Sequence, residues 1–276
     1  MLIKAKHKIL GTFWPLGKKT SILRGPLKGY QFIMSENSGW SPIIGRWEPE
    51  LQSLFTKTIK EGSVVYDLGA NNGIHSLLFS KLAGKKGKVF SFEPLPDNCK
   101  EVETNAALNG IKNIQVVPAA VSSQSGETTF HLGLHNKQGS LVGIGRESGT
   151  DIKVSIITLD QFIEKGNPAP DFLKIDIEGA EGMALLGFEK NIDRVQPVFV
   201  IELHTPEQDA MVGAFFLKHH YNVYRITEKV GYCEELSLNG VERIKDLSKP
   251  YPQPDGIWGT ILAVHPDKIS LLKGGK

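Results

Sequence analysis

The sequence predicts an α/β fold in which helices cover both faces of a mostly parallel β-sheet. From Ser63 onward, short apolar runs alternate with helical patterns, as in consecutive βαβ units. Several of these runs are rich in β-branched residues, which is typical of strands buried on both faces. The first run, at Val64, passes through a glycine-containing turn directly into a helical pattern. These three observations favour an open parallel sheet over an all-α or all-β arrangement.

The composition is that of a chain that buries a sizeable core. Of its 276 residues, 40% are hydrophobic and 22% are charged, which excludes a disordered, collagen-like or coiled-coil protein. Lys and Arg number 32 against 30 Asp and Glu, giving a net charge of +2, so we expect no nucleic-acid partner. No apolar run approaches the roughly 18 residues of a membrane-spanning helix, so we also expect no transmembrane segment.

The amino-terminal region differs in charge from the rest of the chain. Residues 1–28 contain seven Lys or Arg and no Asp or Glu. A solvated leader and an arm that contacts an anionic membrane surface or a phosphorylated substrate both remain open. We expect residues 1–45 to form this leader with a short β and turn extension, and residues 46–276 to form the main domain. Cys99 and Cys233 form no metal or CxxC motif, and the leader lacks a cleavage site, so a cytoplasmic protein with reduced thiols is predicted.

The first three strands and two helices follow one another without interruption. Strands are predicted at 64–66, 88–92 and 114–117. Ile74, Leu77, Leu78 and Leu82 repeat at helical spacing until Gly84 ends the helix. The second helix is predicted to begin at the N-cap Asp97 and to end at Asn109-Gly110.

A β insertion then interrupts the alternation of strands and helices. Strands at 128–132 and 154–156 are separated by a glycine-rich loop at 133–149. Thr158 and Gln161 have capping-box spacing for a short helix, and Thr205 followed by Pro206 predicts the start of a helix that ends near His219. The remaining predicted elements are strands at 172–177, 198–203, 223–226 and 260–264 and a helix at 181–188.

The strongest signal of a ligand site is the turn after the first predicted strand. It reads Asp67-Leu-Gly69-Ala70-Asn71-Asn-Gly73. Small residues in such a turn let a ligand approach the backbone at the carboxyl end of the strand. The glycines do not have the G-x-G-x-x-G spacing, because Asn71 stands in the middle position, and this argues against NAD.

Two carboxylates refine the prediction of the ligand. Asp67 at the turn suits a ligand with an amino group better than a pyrophosphate, and S-adenosylmethionine carries such an amino group. Glu93 ends the next strand, where an acidic side chain accepts hydrogen bonds from both hydroxyls of a ribose. A nucleoside-binding half-fold is therefore predicted. The alternative is that Asp67 and the glycines only cap and pack a βα unit.

This turn resembles that of the FkbM family of methyltransferases, together with three further segments: Trp47-Glu48-Pro-Glu50, Lys174-Ile-Asp176-Ile-Glu178-Gly-Ala-Glu181 and Glu202-Leu-His204. The resemblance covers about residues 45–225, and the run beginning at Lys174 is its most specific part. It implies a Rossmann-like class I methyltransferase domain with a seven-stranded sheet in the order 3-2-1-4-5-7-6. It also implies S-adenosylmethionine as cofactor and O-methylation of a sugar, glycan or natural-product hydroxyl. Asn72 departs from the family in a position that is often apolar there.

Candidate catalytic residues follow two strands that the implied order makes neighbours. Asp176 and Glu178 are two residues apart, as are Glu202 and His204, so each pair shares a face if its strand stays extended. Methyl transfer to a hydroxyl releases a proton, and His204 is our candidate base because an ordinary imidazole titrates near neutral pH. Asp176 and Glu202 would hold the acceptor hydroxyls or His204, and Asp176 also belongs to the predicted cofactor site.

Several alternatives remain open at this point. The carboxylates could instead cap the following helices, or hold a divalent cation such as Mg²⁺ that lowers the pKa of the hydroxyl, although no metal ligand is predicted. A protein or another small molecule could be the acceptor, and a non-catalytic cofactor-binding module is a further possibility. The sequence does not predict the acceptor or the oligomeric state.

Overall fold

The structure is a computed structural model, and it describes residues 17–33, 41–132, 139–141, 151–226, 241–243 and 259–273. The strands within these ranges are β1 (Lys19–Ser21), β2 (Gln31–Ile33), β3 (Val64–Leu68), β4 (Lys88–Phe92), β5 (Ile114–Val117), β6 (Ala120–Val121), β7 (Gly126–Leu132), β8 (Gly139–Ser140), β9 (Asp151–Ile157), β10 (Phe172–Ile175), β11 (Val198–Leu203), β12 (Asn222–Ile226), β13 (Val241–Arg243) and β14 (Gly259–Val264). The helices are α1 (Pro49–Thr58), α2 (Ile74–Ala83), α3 (Pro96–Leu108), α4 (Leu159–Glu164), α5 (Glu181–Leu186), α6 (Ile192–Val195) and α7 (Pro206–Lys218), followed by a 3₁₀ helix at Pro266–Lys273.

Eight strands form the central sheet, in the order β13-β12-β14-β11-β10-β3-β4-β5. The five from β11 to β5 are parallel, whereas β14 runs antiparallel to both of its neighbours. Without β13, this is the expected order 3-2-1-4-5-7-6 of a Rossmann-like class I methyltransferase fold. The expected count of seven is exceeded because β13, three residues long, adds an edge strand beside β12.

Each face of the sheet is covered by its own hydrophobic core. On one face, Val65, Val89 and Phe172 pack with α1 and α2, together with residues of the β1–β2 hairpin. On the other face, strand residues such as Tyr66 and Phe199 pack with α4, α5, α6 and α7. The alternation of side chains along each strand therefore places helices on both faces, as predicted.

The signals for helix ends are confirmed at most positions. Gly84 follows the last residue of α2, and Thr158 and Thr205 each accept a hydrogen bond from the backbone three residues later. The predicted N-cap Asp97 is wrong. The cap is Leu95, because Pro96 occupies the first position of α3 with its φ angle already helical, which places Asp97 inside the first turn.

The amino-terminal extension packs on the main core. The antiparallel hairpin of β1 and β2 contributes Ile22, Leu27 and Phe32, which are buried with Ile43 against the same core as α1. The boundary at residue 45 stays a prediction. Lys4, Lys6 and Lys8 lie outside the described residues.

The predicted β insertion is present as a separate small sheet of order β6-β9-β7-β8. Leu95, Phe130 and Val154 form a third, small core where this sheet meets the loop before α3. Most of the predicted glycine-rich loop, residues 133–138 and 142–150, lies outside the described residues. Among the helices described, none has the length and apolar character needed to cross a bilayer.

Candidate active site

A row of buried polar side chains crosses the sheet just below the carboxyl ends of its strands. Asp67 of β3 pairs in register with Ser91 of β4 on one side and with Lys174 of β10 on the other. All three are buried on the face that carries α1 and α2. Because neighbouring parallel strands end at one edge, the residues that follow this row lie side by side as well.

Asp67 lies beneath the turn and is completely buried. Its Oδ2 accepts a hydrogen bond of 2.5 Å from Ser76 Oγ in the first turn of α2, and Ser76 Oγ lies 2.7 Å from Ser91 Oγ. The other oxygen, Oδ1, has no hydrogen-bond partner. Asp67 therefore does not line the cavity described below, and its direct contact with a cofactor stays a prediction.

The two glycines of the turn are required by packing within the protein. Gly69 has a φ of +80°, and a Cβ atom there would lie 1.8 Å from the carbonyl oxygen of Asp176. Gly73 has a φ of +82°, and a Cβ atom there would meet Val102 of α3 at 3.1 Å. We expected the glycines to leave room for a ligand. The close approach of Asp176, which follows β10, and of α3 requires glycine at both positions, and the approach of a ligand to this backbone stays a prediction.

Glu93 is held rigidly at the end of β4. Its two carboxylate oxygens accept hydrogen bonds from the backbone N–H groups of Asn71, at 2.8 Å, and Leu95, at 2.9 Å. Burial raises the pKa of Glu93 to about 7, against hydrogen bonds from Leu95, Asn71 and the Asn98 side chain that lower it. The side chain is only 4% exposed, and it faces the cavity.

This cavity opens at the carboxyl ends of β3, β4 and β10. One part of its wall is polar and the other is apolar. The polar part comprises Gly69, Asn71, Glu93, Asn98, Asp176 and Glu178, and the apolar part comprises Phe92, Leu95, Ala119, Val121, Phe130, Leu141 and Ile177. A polar wall beside an apolar slot fits a ribose joined to a flat base.

Three non-glycine residues at this edge of the sheet have left-handed backbone conformations. The φ angles are +38° at Glu48, +49° at Asn71 and +55° at Glu178. Such conformations are unfavourable for residues other than glycine, and they cluster at functional sites. Two of the three, Asn71 and Glu178, line the cavity.

Next to the cavity, Lys174 and Asp176 form a buried ion pair. Lys174 Nζ lies 2.9 Å from Asp176 Oδ2, and the lysine side chain is only 5% exposed. Burial acts to lower the pKa of Lys174, but Asp176, Asp67 and Glu48 raise it above its ordinary value. Burial likewise opposes ionisation of Asp176, but Lys174 and His204 keep its pKa below the usual range. Lys174 is therefore a buried positive charge that interacts with the carboxylates of Asp176, Asp67 and Glu48.

The predicted pair of Asp176 and Glu178 forms in a different way from that expected. The strand β10 ends at Ile175, so the segment is not extended. The turn at Glu178 nevertheless returns its carboxylate toward His204, whose Nε2 lies 3.5 Å from Glu178 Oε2 and 3.7 Å from Asp176 Oδ1. On its other side, His204 Nδ1 lies 2.9 Å from Glu181 Oε1, a fully buried carboxylate at the start of α5.

This environment changes the protonation of His204. Burial favours its neutral form, but Glu181, Asp176 and Glu178 raise its pKa to about 9. Our prediction of a base rested on an ordinary imidazole pKa, and that premise does not hold here. An imidazole with a pKa of about 9 is a stronger base, but only a small fraction of it is unprotonated at neutral pH.

Glu202 lies on β11, on the same sheet face as Lys174, and is half-buried. Burial and the charge of Asp176 raise its pKa to about 7, against the opposite effects of Lys174 and His204. Asp176, Glu202 and His204 thus form one electrostatically coupled group, as expected for neighbouring strands.

The structure also reveals residues that our sequence reasoning did not single out. Sequence reasoning assigns no role to Lys174 and treats Glu181 only as a carboxylate that could cap the following helix. In the structure, Lys174 is a buried cation beside Asp176, and Glu181 contacts His204. Glu48 Oε2 lies 2.8 Å from His75 Nε2. Burial opposes ionisation of Glu48, but His75 lowers its pKa. Only tertiary contacts could have identified this second acid and imidazole pair.

Of the predicted cofactor residues, Gly69, Asn71, Glu93 and Asp176 line the cavity, whereas Ala70 and Gly73 do not. A cation could be held by Asp176, Glu178 and His204, because one ligand atom from each lies within 4.8 Å of the others.

The sequence of this chain is similar to a family of known proteins. The sequence profile described as the methyltransferase FkbM domain matches residues 67–232. Hexuronic acid methyltransferase AglP of Haloferax volcanii is 28% identical over 194 residues, which cover 67% of this chain and 77% of that protein. 31-O-demethyl-FK506 methyltransferase FkbM of Streptomyces tacrolimicus is 28% identical over 177 residues, which cover 53% of this chain and 67% of that protein.

Solved structures are also similar to the chain. The crystal structure of methyltransferase FkbM from Methylobacillus flagellatus aligns with a TM-score of 0.45 and 16% sequence identity. The alignment covers 80% of this chain and 51% of the other, so this chain spans about half of that protein.

Proposed function

The chain belongs to the FkbM methyltransferase family, and on that premise we propose that it uses S-adenosylmethionine to methylate a hydroxyl of a sugar, glycan or natural product. The observation that carries the proposal is that two carboxylates with different expected roles line one cavity. Glu93, which suits a ribose, and Asp176, which belongs to the coupled acid and imidazole group, line the same cavity. A nucleoside bound at Glu93 would therefore place its other end beside groups that can accept a proton.

The residues present fit S-adenosylmethionine in two respects. The carboxylate of Glu93 faces the cavity with both oxygens already oriented by backbone amides. The apolar part of the wall, with Phe130 and Val121, offers an adenine ring a slot. We propose that Asp67, Gly69, Ala70, Asn71, Gly73, Glu93 and Asp176 form the cofactor site, with Asp67 shaping the turn.

When bound, the cofactor supplies an electrophilic methyl group on a sulfonium centre. The acceptor oxygen forms a bond to that methyl carbon while the carbon–sulfur bond breaks, and the hydroxyl proton must leave. We propose that His204 Nε2, which faces Asp176 and Glu178, takes this proton. Glu181 holds the opposite ring nitrogen, and the surrounding carboxylates stabilise the imidazolium that results.

Asp176 and Glu202 have supporting roles in this proposal. Lys174 keeps Asp176 ionised, so that its carboxylate can accept a hydrogen bond from an acceptor hydroxyl or steady His204. Glu202, with a pKa raised to about 7, could hold a second hydroxyl in either protonation state. A divalent cation at Asp176, Glu178 and His204 is the second way to promote loss of the proton, favoured by the closeness of their ligand atoms.

The acceptor class is the least constrained part of the proposal. One relative is a hexuronic acid methyltransferase and another acts on 31-O-demethyl-FK506, so a sugar or natural-product hydroxyl is our first choice. A protein acceptor and a non-catalytic binding module are the alternatives. The buried free thiol of Cys99 is compatible with the predicted cytoplasmic location, which stays part of the proposal.

The first experiment tests the cofactor without knowledge of the acceptor. Calorimetric titration of the full chain with S-adenosylmethionine, S-adenosylhomocysteine and NAD should give micromolar binding of the two adenosyl ligands and no binding of NAD. Labelled cofactor can then be used to screen saccharides for methyl transfer. Binding of NAD alone, or of none of the three, would contradict the proposal and bring the non-catalytic alternative forward.

A further inference from the structure

A second concave surface, an open groove, lies between the β1–β2 hairpin and α1. Three cationic side chains, Arg24, Arg46 and Lys57, line it. None of the described residues that line it is acidic. We call this surface the basic groove.

The basic groove is built by two turns that pack closely on each other. Leu23 N–H donates a hydrogen bond of 2.7 Å to Ile43 O, which joins the hairpin to the turn before α1. Gly45, with a φ of +66°, lies so close that a Cβ atom there would be 2.4 Å from Arg24 O. Because no side chain separates these turns, Arg24 and Arg46 are held at the same end of the groove.

The helix α1 contributes polar side chains to the groove, beside the apolar residues Pro26, Ile44 and Pro49. Gln52, Ser53 and Thr56 line it, and Gln52 is only 5% exposed. The Gln52 side-chain amide donates a hydrogen bond to Trp47 O, which ties the helix to the segment that carries Arg46. Guanidinium groups beside hydroxyls and amides are the groups that proteins use to bind carboxylate and phosphate oxygens.

The groove and the coupled catalytic group are connected by a very short segment. Arg46 precedes Glu48 by two residues, which limits their Cα separation to about 7 Å. The Glu48 carboxylate lies 2.8 Å from His75 and interacts electrostatically with Lys174 and Asp176. The groove therefore adjoins the segment that carries Glu48, whose carboxylate contacts His75.

We propose that the basic groove binds the oxyanion of an acidic saccharide acceptor, either a uronic acid carboxylate or a sugar phosphate. This inference rests on the proposed function and specifies its acceptor class. The groove is concave, and Arg24 and Arg46 lie at one end of it, so it suits a single compact anion better than the flat surface of a membrane.

The test is ligand-observed NMR on the full chain with three probes: glucuronic acid, glucose 1-phosphate and neutral methyl glucoside. Each is measured with and without S-adenosylhomocysteine. We expect the two anionic probes to bind and the neutral probe not to bind. The double variant Arg24→Gln/Arg46→Gln should weaken anionic binding at least about tenfold, since two charge-assisted contacts are lost. The anionic probe that binds with the higher affinity shows whether the groove prefers a carboxylate or a phosphate.

The matched control is Lys85→Gln/Lys86→Gln, which removes the same charge from an exposed turn that lines a different surface pocket. It should leave saccharide binding unchanged. Equal binding of neutral and anionic probes, equal weakening by both double variants, or no anionic binding would overturn the inference. Binding only to vesicles of phosphatidylcholine and phosphatidylserine would overturn it in favour of a membrane surface. Loss of S-adenosylhomocysteine binding alone would contradict the proposed function but not the basic groove.

Discussion

The two halves of the candidate site are held in place by different forces. In the cofactor half, backbone amides of Asn71 and Leu95 fix Glu93, and glycines let β10 and α3 approach the turn. In the catalytic half, side-chain charges of Lys174, Asp176 and His204 fix one another. The first half therefore depends on local chain geometry, and the second on electrostatic coupling between strands. Asp176 belongs to both halves, but substitutions at Glu93 and at His204 should each affect one half.

The largest effect should come from His204 in the catalytic half. His204→Ala should lower turnover by about 10² to 10⁴ and leave cofactor affinity unchanged, because a general base contributes to the rate rather than to cofactor binding. Since Glu181, Asp176 and Glu178 raise the pKa of His204 to about 9, wild-type turnover should rise with pH up to that value.

The readouts are the pH profile of turnover and calorimetry with S-adenosylhomocysteine. His219→Gln is the control, since His219 lies 2.8 Å from Asp193 after the end of α7, outside the coupled group. A wild-type inflection near pH 7 that survives in His204→Ala would instead assign the proton acceptor to Glu202.

Removing the Lys174 cation should destabilise the catalytic half of the site. Lys174→Met should lower the free energy of unfolding by about 3 kcal/mol, because Asp176 and Asp67 would lose the cation they face. Urea unfolding measures this effect. The control is Lys190→Met, whose pair with Glu164 at 3.5 Å is exposed, and the expected change there is below about 1 kcal/mol. Equal effects of the two variants would contradict a coupled group centred on Lys174.

Glu93 tests the cofactor half in the same way. Glu93→Ala should weaken binding of S-adenosylmethionine by about 1.5 to 3 kcal/mol, because ribose hydroxyls would lose a charged acceptor. Calorimetry should show this loss without a comparable loss of binding in His204→Ala. Unchanged affinity in Glu93→Ala would reject the assignment of Glu93 to the ribose.

The pH dependence of cofactor binding is a smaller effect on the same half. Burial raises the pKa of Glu93 to about 7, so the carboxyl is mostly protonated below that pH. The ionised form is the better acceptor, so affinity for S-adenosylhomocysteine should rise with pH through 7, by up to about tenfold per unit below it. The matched variant Glu93→Gln cannot ionise and should bind with nearly constant affinity over the same range. A rise that persists in that variant would assign the titration to another group.

The smallest expected effect is that of chelation. With Lys174 and His204 supplying the positive charge of the catalytic half, turnover should be unchanged after exhaustive treatment with EDTA. Loss of activity that Mg²⁺ restores would assign a cation to Asp176, Glu178 and His204, and would make this half a metal site.

By itself, the sequence determined the class of fold and the half of the site that depends on local geometry. The apolar runs of β3, β4 and β5, the caps Thr158 and Thr205, and the turn leading to Glu93 are all encoded by neighbouring residues, which explains why they could be read directly. The family resemblance added the strand order that the sheet confirms. The misplaced cap at Asp97 shows how a proline one residue earlier changes a boundary.

Only the tertiary structure decided the protonation and partners of the catalytic half. The pKa of His204 depends on Glu181, 23 residues away in sequence, and the position of Lys174 between Asp67 and Asp176 depends on the pairing of β10 with β3. The basic groove likewise requires the contact of Leu23 with Ile43. Desolvation and Coulomb interactions depend on distances between strands and turns that are remote in the chain, and these distances are fixed only when the sheet and its helices pack together.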